Sequence, residues 1–244
     1  MKFIKSLICN CLCINNLFSK YNYYNDNNKN YNNLEKYKKL YNSKVIPKKY
    51  NSFKITKKKL LRDNLYFDVY NDNFDYNLNN KYKKYNDLTA EHIFPQSYIK
   101  KYDKAKFDMH NIYFTDSYTN NFRSNYKYVD EINYIQIINK EKYIKLPKNK
   151  LLLYNQYNNY KCNSLKIFIP QTFSRGIIAR SIAYMKYIYE DIKIDNVINI
   201  DLLKKWNKIY PPSENEIQRN NIIKKYQGNN NIFIEDYLLI DIFL

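Results

Sequence analysis

An α+β fold is what this 244-residue sequence predicts, on three observations. Two short β-favouring runs, "DLTAEHIF" and "NIYFTD", flank a basic connection and are followed by a helix signal. From about residue 174 onwards, apolar residues recur at helical spacing through three successive segments. With 45% hydrophobic residues, the chain is long enough to bury one sizeable core. The expected layout is a signal-like or cysteine-rich start over 1–20, a low-complexity basic arm over 21–60, and a folded domain over 61–244.

The elements come in order along the chain. Pro95 closes the first strand, because it has no N–H to give a ladder. "SYIKKYDKAKF" is the basic connection and "NIYFTD" the second strand. Asp116 or Ser117 then caps a helix through "YTNNFRSNYKY", since either side chain can accept from a first-turn amide. "SRGIIARSIAYMKYIYEDI" sets Ile178, Ile182, Met185 and Ile188 on a similar helical face. "IDLLKKWNKIY" is a second amphipathic helix that stops at Pro211-Pro212. In "SENEIQRNNIIKKY", Ser213 and Glu216 fit a capping box, and Gly228 suits a left-handed residue just past the end.

Charge and cysteine usage bound the function. A formal charge of +18 and a pI near 9.4 favour a polyanionic partner, since each neutralised phosphate releases counterions. Lys, Asn, Ile and Tyr are also what an AT-rich coding sequence produces, so charge alone does not decide. Between Lys36 and Arg62 there are eleven basic residues and no acidic one, which suits either an arm along a phosphate backbone or a solvated helix face. Cys9, Cys11 and Cys13 crowd the start and Cys162 stands apart, so no disulfide framework is expected. "MKFIKSLICNCLC" has the outline of a secretory signal, yet Asn10 interrupts it and no small-residue cleavage site is clear. Secretion stays open. No stretch approaches the roughly twenty apolar residues of a membrane span, and a monomer is expected.

Against this background the rare residues carry information. There are two glycines, five arginines and two histidines. Gly176 and Gly228 suggest backbone angles closed to other residues. In "TAEHIFPQ", His92 sits beside Glu91 just before Pro95. A neutral imidazole, with an unperturbed pKa near 6.5, suits the activation of water. A hard divalent cation suits phosphate, and prefers carboxylate or amide oxygens. A strand bearing Glu91 and His92, with the next helix adding an amide oxygen, is the arrangement of a ββα-metal, or His-Me, finger. Adjacent strand residues point to opposite faces, so a distortion near Pro95 is required.

Four ordered blocks resemble the bacterial endonuclease I family of secreted or periplasmic nucleases, over roughly residues 60–236. "AEHIFP" resembles its EH-V-V-P block, "DMHNIYF" its D-L-H-N-L block and "YTNNFRSNY" its V-N-G-D-R-S-N block. "RGIIAR" and the later "WNKIYPPSENEIQRNNIIKKYQGNNNIF" resemble its R-G-x-x-A-R, E-x-x-R-N and Q-G-N-x-N-P-F elements. The resemblance implies His92 as general base and Glu91 and Asn120 as ligands of a metal, Mg²⁺ first among divalent cations. It implies hydrolysis of DNA, RNA or both with little base preference, leaving 5′-phosphate ends. Arg123, Arg175, Lys101, Lys104 and Lys106 are the candidate nucleic-acid contacts. His110 is expected to brace a strand, Trp206 to lie in the core, and Arg180 and Arg219 to be structural.

Three departures stand out. Asn121 and Phe122 replace the family's glycine and aspartate, and Ile232 replaces a proline. The family's loop arginine, which stabilises the cleaved phosphate, has only Lys100, Lys101, Lys104 and Lys106 to stand in for it. Its disulfides have no counterparts. The alternatives are another HNH-type endonuclease and a non-catalytic nucleic-acid-binding protein.

Overall fold

A strand hairpin sets the frame for everything else. β1, Leu88–His92, pairs antiparallel with β2, Ile112–Asp116, so that Leu88 faces Asp116 and His92 faces Ile112. The computed structural model describes residues 68–71, 88–140, 152–155 and 158–244. Strand alternation divides β1 between two environments. Leu88 and Ala90 pack with Met109, Ile112, Phe114 and Ile223 in one apolar cluster. Thr89 and Glu91 meet α1, Ser117–Arg123, instead. Asp116 caps that helix by accepting from Thr119 N at 2.9 Å. Beside β2, the segment Asp68–Asn71 forms a parallel bridge to Phe114, with Val69 N donating to its carbonyl at 2.9 Å.

The helix expected through "YTNNFRSNYKY" ends at Arg123, where Ser124 turns the chain at φ 56°. The turn leads into β3, Lys127–Tyr128, the edge of a second sheet for which the sequence carries no signal. Its order is β3-β6-β5-β4, with β4 at Leu153–Tyr154, β5 at Tyr160–Cys162 and β6 at Ile167–Ile169. β3 joins β6 in parallel and the other pairings are antiparallel. Strands of two or three residues leave too short a period to detect in sequence. α2, Glu131–Lys140, lies between β3 and β4 in the chain.

The C-terminal part is helical. α3, Thr172–Ile188, is buried on nearly every side, as a central core helix should be. α4, Ile200–Ile209, is capped by Asn199, and α5, Glu214–Gln227, by Ser213, which accepts from Glu216 N at 3.3 Å. α6, Ile232–Glu235, and α7, Leu239–Phe243, complete the chain. Two expectations need correcting here. The Glu216 carboxylate turns to Arg180 at 2.7 and 2.5 Å, so its role is an ion pair with α3. Gly176 serves proximity rather than an unusual angle. A Cβ there would lie 2.8 Å from Tyr210 Cβ and Arg180 Nη2, and closer still to the Tyr210 carbonyl. Gly228 does take the left-handed conformation, at φ 89°, where a Cβ is penalised.

The architecture is therefore mixed α+β, with small sheets and a helical C-terminal half. No helix among the described residues is long and apolar enough to cross a membrane. The expectations for residues 1–20, for the basic arm and for Cys9, Cys11 and Cys13 fall outside the described residues.

Candidate active site

The end of β1 carries two of the candidate site residues, Glu91 and His92. Glu91 is only 2% exposed, and a buried carboxylate needs partners. Tyr70 Oη donates to its Oε1 at 2.8 Å, and Arg123 Nε lies 3.4 Å from the same oxygen. Burial pushes the Glu91 carboxyl above its ordinary 4.5, while the Arg123 charge and the Tyr70 bond pull it back.

Asn120, half-buried on α1, is tied to β1 through its amide nitrogen. Nδ2 donates to Thr89 Oγ1 at 2.9 Å and to the Ala90 carbonyl at 3.2 Å. A carbonyl can only accept, so the NH₂ end faces β1 and Oδ1 is the end left for another donor or a cation. The helix thus holds an amide oxygen beside the strand segment that bears Glu91.

His92 ends β1, half-buried. Its Nε2 lies 2.9 Å from the Lys106 carbonyl. An acceptor there requires a hydrogen on Nε2, so in the neutral ring Nδ1 carries the basic lone pair. Burial pushes the imidazole below its ordinary 6.5. The Lys106 carbonyl opposes this, and the Arg123 and Lys106 charges add to it. The ring is neutral near pH 7, as a proton acceptor must be. Past His92 the ladder continues only to Ile93 N, which donates to the Asn111 carbonyl at 3.1 Å. Asn111 then grips Phe94 from both sides, accepting from its N at 2.7 Å and donating to its O at 3.1 Å. The strand bends there, just before Pro95.

The candidate phosphate contacts divide by burial. Arg123 is 1% exposed and donates to the Ile93 carbonyl and the Ser124 carbonyl, each at 2.8 Å. Arg175 is 7% exposed, pairs with Glu131 at 2.7 Å and donates to the Pro170 carbonyl at 3.2 Å. Both guanidinium groups are engaged by groups of the fold in this structure, Arg175 by way of a partly exposed Glu131. Lys101 and Lys104 are exposed on the loop between β1 and β2, and Lys106 is half-buried beside His92. Phe122, which replaces an acidic residue, is buried edge-on against Phe168 with Lys161 Nζ 4.4 Å above its ring. It fastens α1 to the second sheet. Asn121 is exposed.

Behind the hairpin, the remaining motif residues form one polar scaffold. Asp108, 1% exposed, accepts from Tyr184 Oη at 2.9 Å, Tyr189 Oη at 3.0 Å, Gln227 Nε2 at 2.8 Å and His110 N at 3.0 Å. His110 bonds the Asn229 carbonyl through Nε2 at 3.1 Å, and Asn229 Nδ2 donates to Tyr184 Oη at 2.8 Å. Arg219 donates to the Met109 and Ile112 carbonyls, each at 2.6 Å, and stacks on Tyr113. Asn231 caps α6 and donates to the Arg180 carbonyl at 3.0 Å. Trp206 is 1% exposed in the core. These residues hold β2 to the helices.

Tyr70 and Tyr128 are not legible as site residues in the sequence. Their hydroxyls lie 2.7 Å apart; since the single Tyr70 proton goes to Glu91, Tyr128 Oη is the donor to Tyr70 Oη, and its 3.3 Å approach to the Ile93 carbonyl is a contact only. Among 29 tyrosines in the chain, nothing in the sequence singles these two out.

The chain belongs to the Endonuclease I family, whose model matches residues 21–237. Among its relatives is Endonuclease-1 of Buchnera aphidicola subsp. Acyrthosiphon pisum (strain APS), 28% identical over 135 residues. Those residues are 55% of this chain and 47% of that protein, so the match spans about half the length of the relative.

Proposed function

We propose that this protein is a divalent-metal-dependent endonuclease of the ββα-metal finger type. It hydrolyses phosphodiester bonds of DNA, RNA or both with little base preference and leaves 5′-phosphate ends. The observation that carries the reading is the bond between His92 Nε2 and the Lys106 carbonyl. It favours the tautomer in which Nδ1 carries the lone pair, on the strand that also bears Glu91 and to which the Asn120 amide is tied through Ala90.

The donor set fits a hard cation. Among the described residues no cluster of three or more His, Cys, Asp or Glu is present, and none is needed. Mg²⁺ keeps several waters and takes one or two protein oxygens. Glu91 would supply a carboxylate, and Asn120 an oxygen whose direction is set by its pinned amide nitrogen. When bound, the metal supplies Lewis-acid stabilisation of charge on the phosphate and the departing 3′ oxygen.

The rest is done by the chain's own groups. His92 takes a proton from the attacking water at Nδ1, and the Lys106 carbonyl steadies the imidazolium that results. Lys106 branches from the residue that holds His92, and its charge is felt by the ring. It is therefore the loop lysine best placed to meet the phosphate as a point charge where the family has an arginine. Lys101 and Lys104, exposed on the same loop, extend contact along the backbone of the nucleic acid.

The test is incubation of plasmid DNA and of RNA with the purified full chain, with and without EDTA, beside His92→Ala. Cleavage that stops in EDTA and returns with Mg²⁺ is expected. Metal-independent cutting, or a His92→Ala protein as fast as wild type, would remove the assignment. Binding without cutting would favour a non-catalytic nucleic-acid-binding protein.

A further inference from the structure

We infer that Tyr70 is a positioning residue for Glu91, its phenol holding the carboxylate in one orientation so that the remaining lone pairs face a divalent cation in a fixed direction. This rests on the proposed metal role of Glu91. Tyr70 is fully buried, and its hydroxyl donates to Glu91 Oε1 at 2.8 Å. The hydroxyl is itself fixed by Tyr128 Oη at 2.7 Å.

The segment that delivers this phenol is pinned by several separate parts of the fold. Val69 N donates to the Phe114 carbonyl on β2. Ser174 Oγ, on α3, donates to the Val69 carbonyl at 2.5 Å. Asn159 Nδ2 donates to the Tyr70 carbonyl at 2.9 Å, and Tyr70 N donates to Asp68 Oδ1 at 2.9 Å. The Tyr70 ring meets Phe168 of the second sheet edge-on at 5.1 Å. Both faces of the backbone and the ring are therefore constrained around one hydroxyl.

A carboxylate has about four lone-pair sites and can turn about its last bond, so an unbraced Glu91 would present its oxygens in several directions. A neutral donor removes that freedom without cancelling the negative charge that attracts a cation. Arg123, at 3.4 Å, is a looser partner whose charge competes with the metal's. The division of labour is thus a phenol for orientation and a guanidinium for burial of the charge.

The test is calorimetric titration of Mn²⁺ into the full-length wild type, Tyr70→Phe and Glu91→Gln, with plasmid cleavage followed against Mn²⁺ concentration. Tyr70→Phe keeps the ring on Phe168 and removes only the donor. It is expected to weaken Mn²⁺ affinity about 10–100-fold, the usual effect of losing a group that orients a ligand. Its cleavage rate should recover as Mn²⁺ is raised, which a fault in folding would not do. Unchanged affinity in Tyr70→Phe, with Glu91→Gln weakened, overturns the inference and leaves the metal reading standing. Equal affinities in wild type and Glu91→Gln overturn the metal role of Glu91, and the inference with it. Should Tyr70→Phe not fold, Tyr128→Phe decides: weaker Mn²⁺ binding supports the inference and wild-type binding overturns it.

Discussion

The two histidines of this chain make the same hydrogen bond and serve different regions. His92 Nε2 meets the Lys106 carbonyl at 2.9 Å, and His110 Nε2 meets the Asn229 carbonyl at 3.1 Å. Both rings are therefore protonated on Nε2 when neutral, and burial pushes both below the ordinary 6.5. What separates them is access. His92 is half-buried at the end of a strand, one residue past Glu91. His110 is 1% exposed, stacked 4.6 Å from Tyr184, and its Nδ1 has no hydrogen-bond partner among the described residues. Tautomer and pKa direction alone do not make a base. The nitrogen must also face something to deprotonate.

If that contrast is right, damage to the scaffold region should cost stability and damage at the end of β1 should cost rate. The largest effect is expected from Arg180→Ala, which strands the Glu216 carboxylate in a pair whose side chains are both 1% exposed. Removing one member of a buried pair costs about 3–5 kcal/mol. Urea unfolding should show it, while the folded fraction still cleaves. Next is His92→Ala, expected to lower the cleavage rate by at least about a hundredfold, with little change in the urea midpoint. A large stability loss there would blur the contrast.

His110→Gln sharpens it through pH. Burial pushes the His110 pKa from 6.5 down to about 3, so between those values the unfolded chain binds a proton that the native state does not. The stabilising contribution is complete above pH 6.5 and is lost progressively as pH falls towards about 3. Asp68, pushed up to about 6 by its own burial, titrates oppositely, but it is present in both proteins and cancels in the comparison. His110→Gln keeps a donor for the Asn229 carbonyl and should cost about 1 kcal/mol at neutral pH. Its disadvantage against wild type should shrink and then reverse as the pH is lowered, as followed by denaturant unfolding at each pH. A constant difference across that range would show that His110 does not titrate as described.

The smallest effects are expected on the loop. Lys106→Gln should lower kcat/KM about tenfold or less, the share expected of a single point charge at the phosphate. Lys101→Gln and Lys104→Gln should each reduce the salt dependence of binding by about one unit of slope, measured on a labelled duplex. Equal losses of kcat/KM in all three would remove the special place given to Lys106.

Much of this was legible residue by residue. The hairpin, the Asp116 and Ser213 caps, the αL Gly228 and the three long helices each have a local cause, so the sequence carries their signals. The candidate base drew attention because histidine is rare in a monotonous chain, whereas Glu91 and Asn120 were proposed as ligands only through the resemblance of their blocks. The second sheet was not, because its strands are too short for a period and its parallel β3–β6 pairing joins residues some forty positions apart. The partners of Arg123 and Arg175 were not legible for a related reason. A guanidinium suits phosphate and backbone carbonyls equally, and only burial tells which one it meets.

By itself, then, the sequence determined which groups are available: an imidazole, a carboxylate and an amide in a fixed order, with turns and caps that deliver strand, strand and helix. Tertiary structure alone decided which of them are held, and by what. Tyr70 reaches Glu91 across 21 positions, and Asp108 meets Gln227 across 119. Local propensity acts over a few residues, whereas a buried charge is satisfied by whatever polar group the folded core brings within about 3 Å.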